Sequence, residues 1–130
     1  MSIGLWGQLS PLHLILHITS AQAWAEVIDA YAAPSLKTEG FIHCSSPEQV
    51  TGPANALFFG QKDLVLLCID TRKLRAEVVH EDCYEAGQTF PHIYGSIHRE
   101  AVIAVVPFPP DEDGGFSLPP AIEGIRSQLS

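Results

Sequence analysis

Along residues 12–19, LHLILHIT, apolar and polar positions alternate. Successive side chains of a strand point to opposite faces, so Leu12, Leu14, Leu16 and Ile18 share one face and His13, Ile15, His17 and Thr19 share the other. The leucine face is predicted to meet a core. The histidine face is half polar and calls for a reason. Behind this strand, Thr19 is the predicted N-cap of a helix, with Gln22 closing a capping box. Trp24, Val27, Ile28 and Tyr31 lie beyond it at the spacing of one helix face, and Ala33-Pro34 ends that helix. EGFIHC, 39–44, reads as a strand. SSPEQV then opens a second helix, with Ser46 as cap, Pro47 at the first position and Gln49 closing the box. Gly52-Pro53 divides the continuation of this helix into two short pieces.

DLVLLCID, 63–70, is a continuous apolar run of strand length, the pattern of a strand buried on both faces. AEVVHE, 76–81, reads as a weaker strand and GQTFPHIYGSI, 87–97, as irregular chain. AVIAVVPF, 101–108, reads as another buried strand, and DEDGGF as a turn. Residues 1–11 and 120–130 are expected to be tails around a core of about 12–119, within a single domain spanning 1–130. Strands and helices mix without a regular βαβ rhythm, which favours α+β over a doubly wound sheet.

Composition narrows the partners. Apolar residues make up 46% of the 130 and charged residues 17%, the balance of a globular chain. With 7 basic against 15 acidic residues the net charge is -8. A phosphate backbone is repelled on average, so duplex nucleic acid is not an expected partner. A small ligand remains compatible, even an anionic one held locally. No apolar run reaches the length of a membrane span, and MSIGLWGQLSP lacks the pattern of a signal peptide. Three cysteines without a CxxC pair point to reduced thiols at Cys44, Cys68 and Cys83 and to a cytoplasmic location.

Six histidines invite a metal reading, and spacing argues against it. His13 and His17 on a strand stand roughly 13 Å apart at about 3.3 Å per residue, too far to share an ion. No metal is expected. Cys44 beside His43 suggests a thiol and its base, but neighbours on a strand face opposite ways, and Cys44 reads better as a small buried apolar residue. His43 itself has two readings: a half-buried histidine bonded to a carbonyl, or a ligand contact. His17 and His92 also lie on strand or backbone-restricted segments. With Ser45, Tyr94 and the acid Glu81 they form a polar cleft if the fold brings them together. FPHIYG carries a packing alternative, in which Phe90 and Tyr94 cover the core, Pro91 stiffens the turn and Gly95 takes positive φ. No GxGxxG, P-loop or GxSxG is present.

The ordered motifs LHITSAQAW, PSLKTEGFIHCSSPEQV, DLVLLCID, FPHIYGSI and a closing PF resemble the bacterial domain-of-unknown-function family 952 over residues 14–119. The chain departs from the family pattern at Leu16, where an aromatic residue is usual, and at Gly52-Pro53. The resemblance implies an ADP-ribosyltransferase-like fold: short mixed sheets around a cleft, with two or three flanking helices, the cleft holding NAD in active relatives. It implies that His17, followed by Ile18 and Thr19, contacts a ribose, and that His43 and His92 meet ligand phosphates. Glu81 and Tyr94 stand as the catalytic pair. The expected function is a nucleotide-type site for NAD, ADP-ribose or a phosphorylated relative, with transferase or hydrolase chemistry. The alternatives are a non-catalytic binding module on the same scaffold and a structural or partner-binding protein. Fold likeness by itself does not fix function.

Overall fold

In the computed structural model, which describes residues 13–82 and 87–129, the alternation of the first segment becomes strand β1, Leu14–Ser20. It pairs antiparallel with β4, Leu64–Asp70, from Leu14 opposite Asp70 to Ser20 opposite Leu64. β8, Val102–Pro107, pairs antiparallel on the far side of β4. The sheet order β1-β4-β8 makes β4 the central strand, and all seven of its residues are buried, as its unbroken apolar run requires.

Both faces of this sheet carry a core. Leu14, Leu16, Leu64, Leu66 and Cys68 pack with Val50, Ala54, Phe108, Phe116 and Ile122 on one side. Ile15, Val65, Leu67 and Ile69 pack with Tyr31, Ile42, Ile93 and Ile97 on the other. The histidine face of β1 is therefore interior, with His17 and Thr19 buried in it. Leu12 and the tail before it lie outside the described residues.

The second core is closed by two small sheets. β2, Ala30–Tyr31, pairs with β7, Ile97–His98. β3, Ile42–His43, pairs with β6, Phe90–Ile93, which pairs in turn with β5, Val78–Glu81. Every pairing is antiparallel, so the sheets are not mixed as expected. The α+β class stands. Four helices occur among the described residues rather than two or three: α1 Ala21–Ala25, α2 Pro34–Thr38, α3 Thr51–Leu57 and α4 Ala121–Gln128. None is long and apolar enough to cross a membrane.

Several local expectations are corrected. Ser20, not Thr19, caps α1, accepting from the Ala23 N–H at 3.0 Å. The helix expected to run to Tyr31 stops after five residues. Arg99 pins the segment behind it, donating from its guanidinium to the Val27 carbonyl and from its N–H to that of Asp29. Ile28 is left 80% exposed, and Tyr31 becomes a buried strand residue. Ser46 does not cap a helix directly. Gln49 bonds back to its N–H at 3.0 Å across a turn, and α3 begins only at Thr51. Pro53 sits in the first turn of α3, where a missing N–H costs least, so Gly52-Pro53 does not split the helix.

Segment 87–97 forms β6 and β7 rather than irregular chain. Pro91 is tolerated in the middle strand because it supplies its carbonyl, which accepts from the Cys44 N–H at 3.0 Å. Gly95 is not at positive φ. A Cβ there would lie 2.7 Å from that of Ala76, so close approach is what demands glycine. β8 is an edge strand, partly exposed, because it has a partner on one side in the sheet order. Residues 121–128, expected as tail, form α4 and bury Ile122 completely.

That last contact gives a direct check. Ile122→Ala is expected to lower stability by about 2–4 kcal/mol, the cost of a cavity in a packed core. Ile28→Ala, at an exposed position, should change it by under about 0.5 kcal/mol. Urea denaturation midpoints of the two variants beside the parent decide whether the C-terminal segment belongs to the core.

Candidate functional site

The main-chain joint between the large sheet and the β3 region is a single antiparallel bridge. Leu16 N–H donates to the Ser45 carbonyl at 2.8 Å, and Ser45 N–H returns to Leu16 at 2.9 Å. Around this joint the backbone opens into a cleft of about 720 Å³. One wall is β1 at Leu16, His17 and Ile18 together with His43, Cys44 and Ser45. The opposite wall is α3, which presents Gly52, Pro53, Ala56 and Leu57. These four repeat at the spacing of one helix face, and two of them are among the smallest side chains. The Gly52-Pro53 pair thus borders the cleft, and a Cβ on Gly52 would meet only open space.

At the inner wall lies a buried polar chain. His17 Nδ1 is 2.6 Å from the carbonyl oxygen of His43, so Nδ1 carries the proton and donates. Its Nε2 is 2.8 Å from the hydroxyl of Tyr31, which lies 3.1 Å from Oγ1 of Thr19. Burial pushes the His17 imidazolium down to about 4, outweighing the hydrogen bond to the His43 carbonyl. The ring is neutral at pH 7 and Nε2 is an acceptor. Tyr31 must donate to it, and the Thr19 hydroxyl then donates to the Tyr31 oxygen. Burial likewise raises the Tyr31 phenol, which stays protonated. Both nitrogens of His17 are engaged, while the phenol oxygen of Tyr31 keeps a spare lone pair. The sequence pattern did not single out Tyr31, since its i+7 spacing from Trp24 read as a helix face.

A second polar group forms on the β3-β6-β5 sheet. His92, fully buried, places Nδ1 2.9 Å from Oε1 of Glu81. The Tyr94 hydroxyl donates to the same oxygen at 2.5 Å. Tyr94 first and His92 second hold the Glu81 carboxyl below its usual range, keeping it ionised. Phe41 stacks on His92 at 4.1 Å and 17°, and the His43 ring meets His92 edge-on at 5.4 Å. His43 Nε2 is 3.1 Å from both oxygens of Glu39.

The seven residues expected at a site therefore divide. His17, His43 and Ser45 line the cleft, and Thr19 stands behind it. Glu81, His92 and Tyr94 assemble together but off the lining, with Phe41 and His43 between. Tyr94 is 41% exposed and Phe90 is buried, so only one of the two aromatics of FPHIYG covers the core. Cys44 and Cys68 are free and buried. Burial pushes the Cys68 thiol up to about 12 and raises that of Cys44 as well, so neither is a nucleophile at neutral pH. Cys83 lies outside the described residues. No group of three His, Cys, Asp or Glu side chains among the described residues is placed to hold a metal ion.

The comparisons with other proteins speak to kinship and not to chemistry. A family model described as "Protein of unknown function (DUF952)" matches residues 18–105. The crystal structure of protein CC0527 from Caulobacter crescentus is similar, with 30% identity and a TM-score of 0.72, over 81% of this chain and 94% of that one. The solution NMR structure of CC0527 gives 29% identity and a TM-score of 0.63, over 81% and 92%. No curated protein matches the chain.

Two measurements test the wall. The folded state holds His17 near 4 against 6.5 in the unfolded chain. Between those values the unfolded chain binds a proton that the folded one refuses, so stability should fall as pH drops from about 6.5 to 4, by on the order of 3 kcal/mol. Denaturant melts across that window should show this slope, and His17→Gln should flatten it. A wild-type imidazole that protonates at His17 above pH 6 by nitrogen NMR would refute the assignment. Separately, His43→Ala should cost under about 1 kcal/mol, because its side chain is part exposed and its carbonyl is retained. Cys44→Ser should cost more, about 1–3 kcal/mol, by burying a hydroxyl.

Proposed function

The chain belongs to the DUF952 family, whose description assigns no activity, and on that footing we propose that it binds a small molecule of nucleoside type in the cleft between α3 and the β1–β3 joint. NAD, ADP-ribose and their relatives are the candidate class. The observation that carries the reading is the ordered Thr19–Tyr31–His17 chain set at the wall of an otherwise largely apolar cleft of ligand size. An apolar slot suits a heteroaromatic ring. The fixed phenol oxygen of Tyr31 suits a donor such as a ribose hydroxyl. The likeness of His17-Ile18-Thr19 to the ribose-contacting motif of ADP-ribosyltransferases supports the same choice, with His17 acting through Tyr31.

A catalytic reading is second. It is favoured by the 2.5 Å bond from Tyr94 to an ionised Glu81, a carboxylate oriented to accept a proton or to face a developing cation. Because this group stands off the cleft lining, binding without turnover is the primary proposal.

A thermal melt with adenosine, nicotinamide riboside, ADP-ribose and NAD, and with glutathione as control, tests the reading. Ligand at about 100 times its dissociation constant adds roughly 2.7 kcal/mol, several degrees for a domain of this size. Ala56→Phe, at an exposed position on the α3 wall, should abolish the shift while leaving the unliganded melt near that of the parent. No shift with any of the four at millimolar concentration would return the protein to a structural or partner-binding role. Release of nicotinamide from NAD, lost in Glu81→Gln, would promote the second reading.

A further inference from the structure

The charges around the cleft sharpen the ligand class. All seven Lys and Arg residues fall within the described residues, and none lines the cleft. The four arginines are engaged elsewhere. Arg72 grips Asp70 at 3.0 Å, Arg75 reaches Glu100 at 2.8 Å, and Arg126 reaches Glu48 at 2.6 Å. Arg99 lies over the Trp24 ring at 4.8 Å and bonds to the Val27 carbonyl.

At residues 52–54 the backbone of α3 does not replace them. α3 borders the cleft at its first turn, yet Gly52 N–H is bonded to the Gln49 carbonyl, Pro53 has no N–H, and Ala54 N–H is bonded to Val50. His17 lends no charge, since burial keeps it neutral. At the edge of the cleft His43 is bonded to the carboxylate of Glu39. The whole chain adds a field of -8.

We infer that the cleft selects the uncharged part of its ligand: it takes a nucleoside, a heteroaromatic ring with its sugar, and each added phosphate weakens binding. This rests on the nucleoside reading above and parts from the phosphate role that the family resemblance implies for His43 and His92. A dinucleotide would enter only by one nucleoside end, with its phosphates held out in solvent.

Matched pairs separate the two ideas. Isothermal titration of the full chain with adenosine against adenosine monophosphate, and nicotinamide riboside against its mononucleotide, reads the effect of one phosphate at constant ring and sugar. The nucleoside is expected to bind about tenfold or more tightly than its monophosphate. The gap should widen as the screening length grows from about 8 Å at physiological salt to about 30 Å at 0.01 M. Leu57→Lys puts a cation at a lining position that is 75% exposed and tolerant of change, and should narrow the gap. Monophosphates that bind as tightly as nucleosides, or more so, overturn the inference and leave a nucleotide site standing. Failure of both members of every pair overturns the inference together with the nucleoside reading.

Discussion

His17 donates from Nδ1 to the carbonyl of His43 and accepts at Nε2 from Tyr31, so one buried imidazole joins β1, β3 and β2. Those strands belong to three different sheets. β2 and β3 are two residues long, too short for their ladders to hold them firmly. The ring gives them a common anchor on the longest sheet, and the Leu16–Ser45 bridge adds a main-chain joint one residue away. Removing this ring would leave a buried carbonyl and a buried phenol without their partner. Stranded groups of that kind cost more than the bonds themselves contribute.

The cleft arises from the same geometry. Where β3 leans against β1 by a single bridge rather than a full ladder, the sheets diverge, and α3 covers the gap with small residues instead of filling it. A helix with leucines at positions 52 and 56 would close the space as core. Gly52 and Ala56 leave it open, while Ala54 and the preceding Val50 turn to the other side and pack into the first core. Gly52-Pro53 therefore borders the site rather than interrupting an unrelated helix.

Strands β1 and β4 were legible because burial imposes a pattern on them: alternation in one case, an unbroken apolar run in the other. What escaped depended on partners distant in sequence. Tyr31 has helical spacing from Trp24, but pairing with Ile97 and the bond to His17 make it a strand residue. β6 was hidden by Pro91, which looks like a strand breaker until its carbonyl finds Cys44. α4 is the exception: with its C-cap it carries Ile122, Ile125 and Leu129 at the spacing of one helix face, all packed on the first core, a signal overlooked in a short segment read as a tail. His17, His43 and Ser45 were recognisable as a group, since alternation on two strands put them on definable faces. Their separation from Glu81, His92 and Tyr94 was not, because it depends on Phe41 standing between the two sets.

His43 shows why the question of chemistry or architecture need not have one answer for a residue. Its carbonyl serves the fold by receiving His17, a task that any residue at that position performs with its backbone. Its side chain is part exposed, borders the cleft, and touches Glu39 through Nε2 and the His92 ring edge-on. The main chain thus fixes where the imidazole stands without consuming it. A ligand entering the cleft meets His43 on one side, with the ionised Glu81 one histidine further on. Three routes join the cleft to the acid cluster: the His43–His92 contact, Phe41, and β6 itself, whose Phe90 lines the cleft and pairs with Glu81. Of these, only His43 presents a polar side chain to the cleft and a ring to His92 at once.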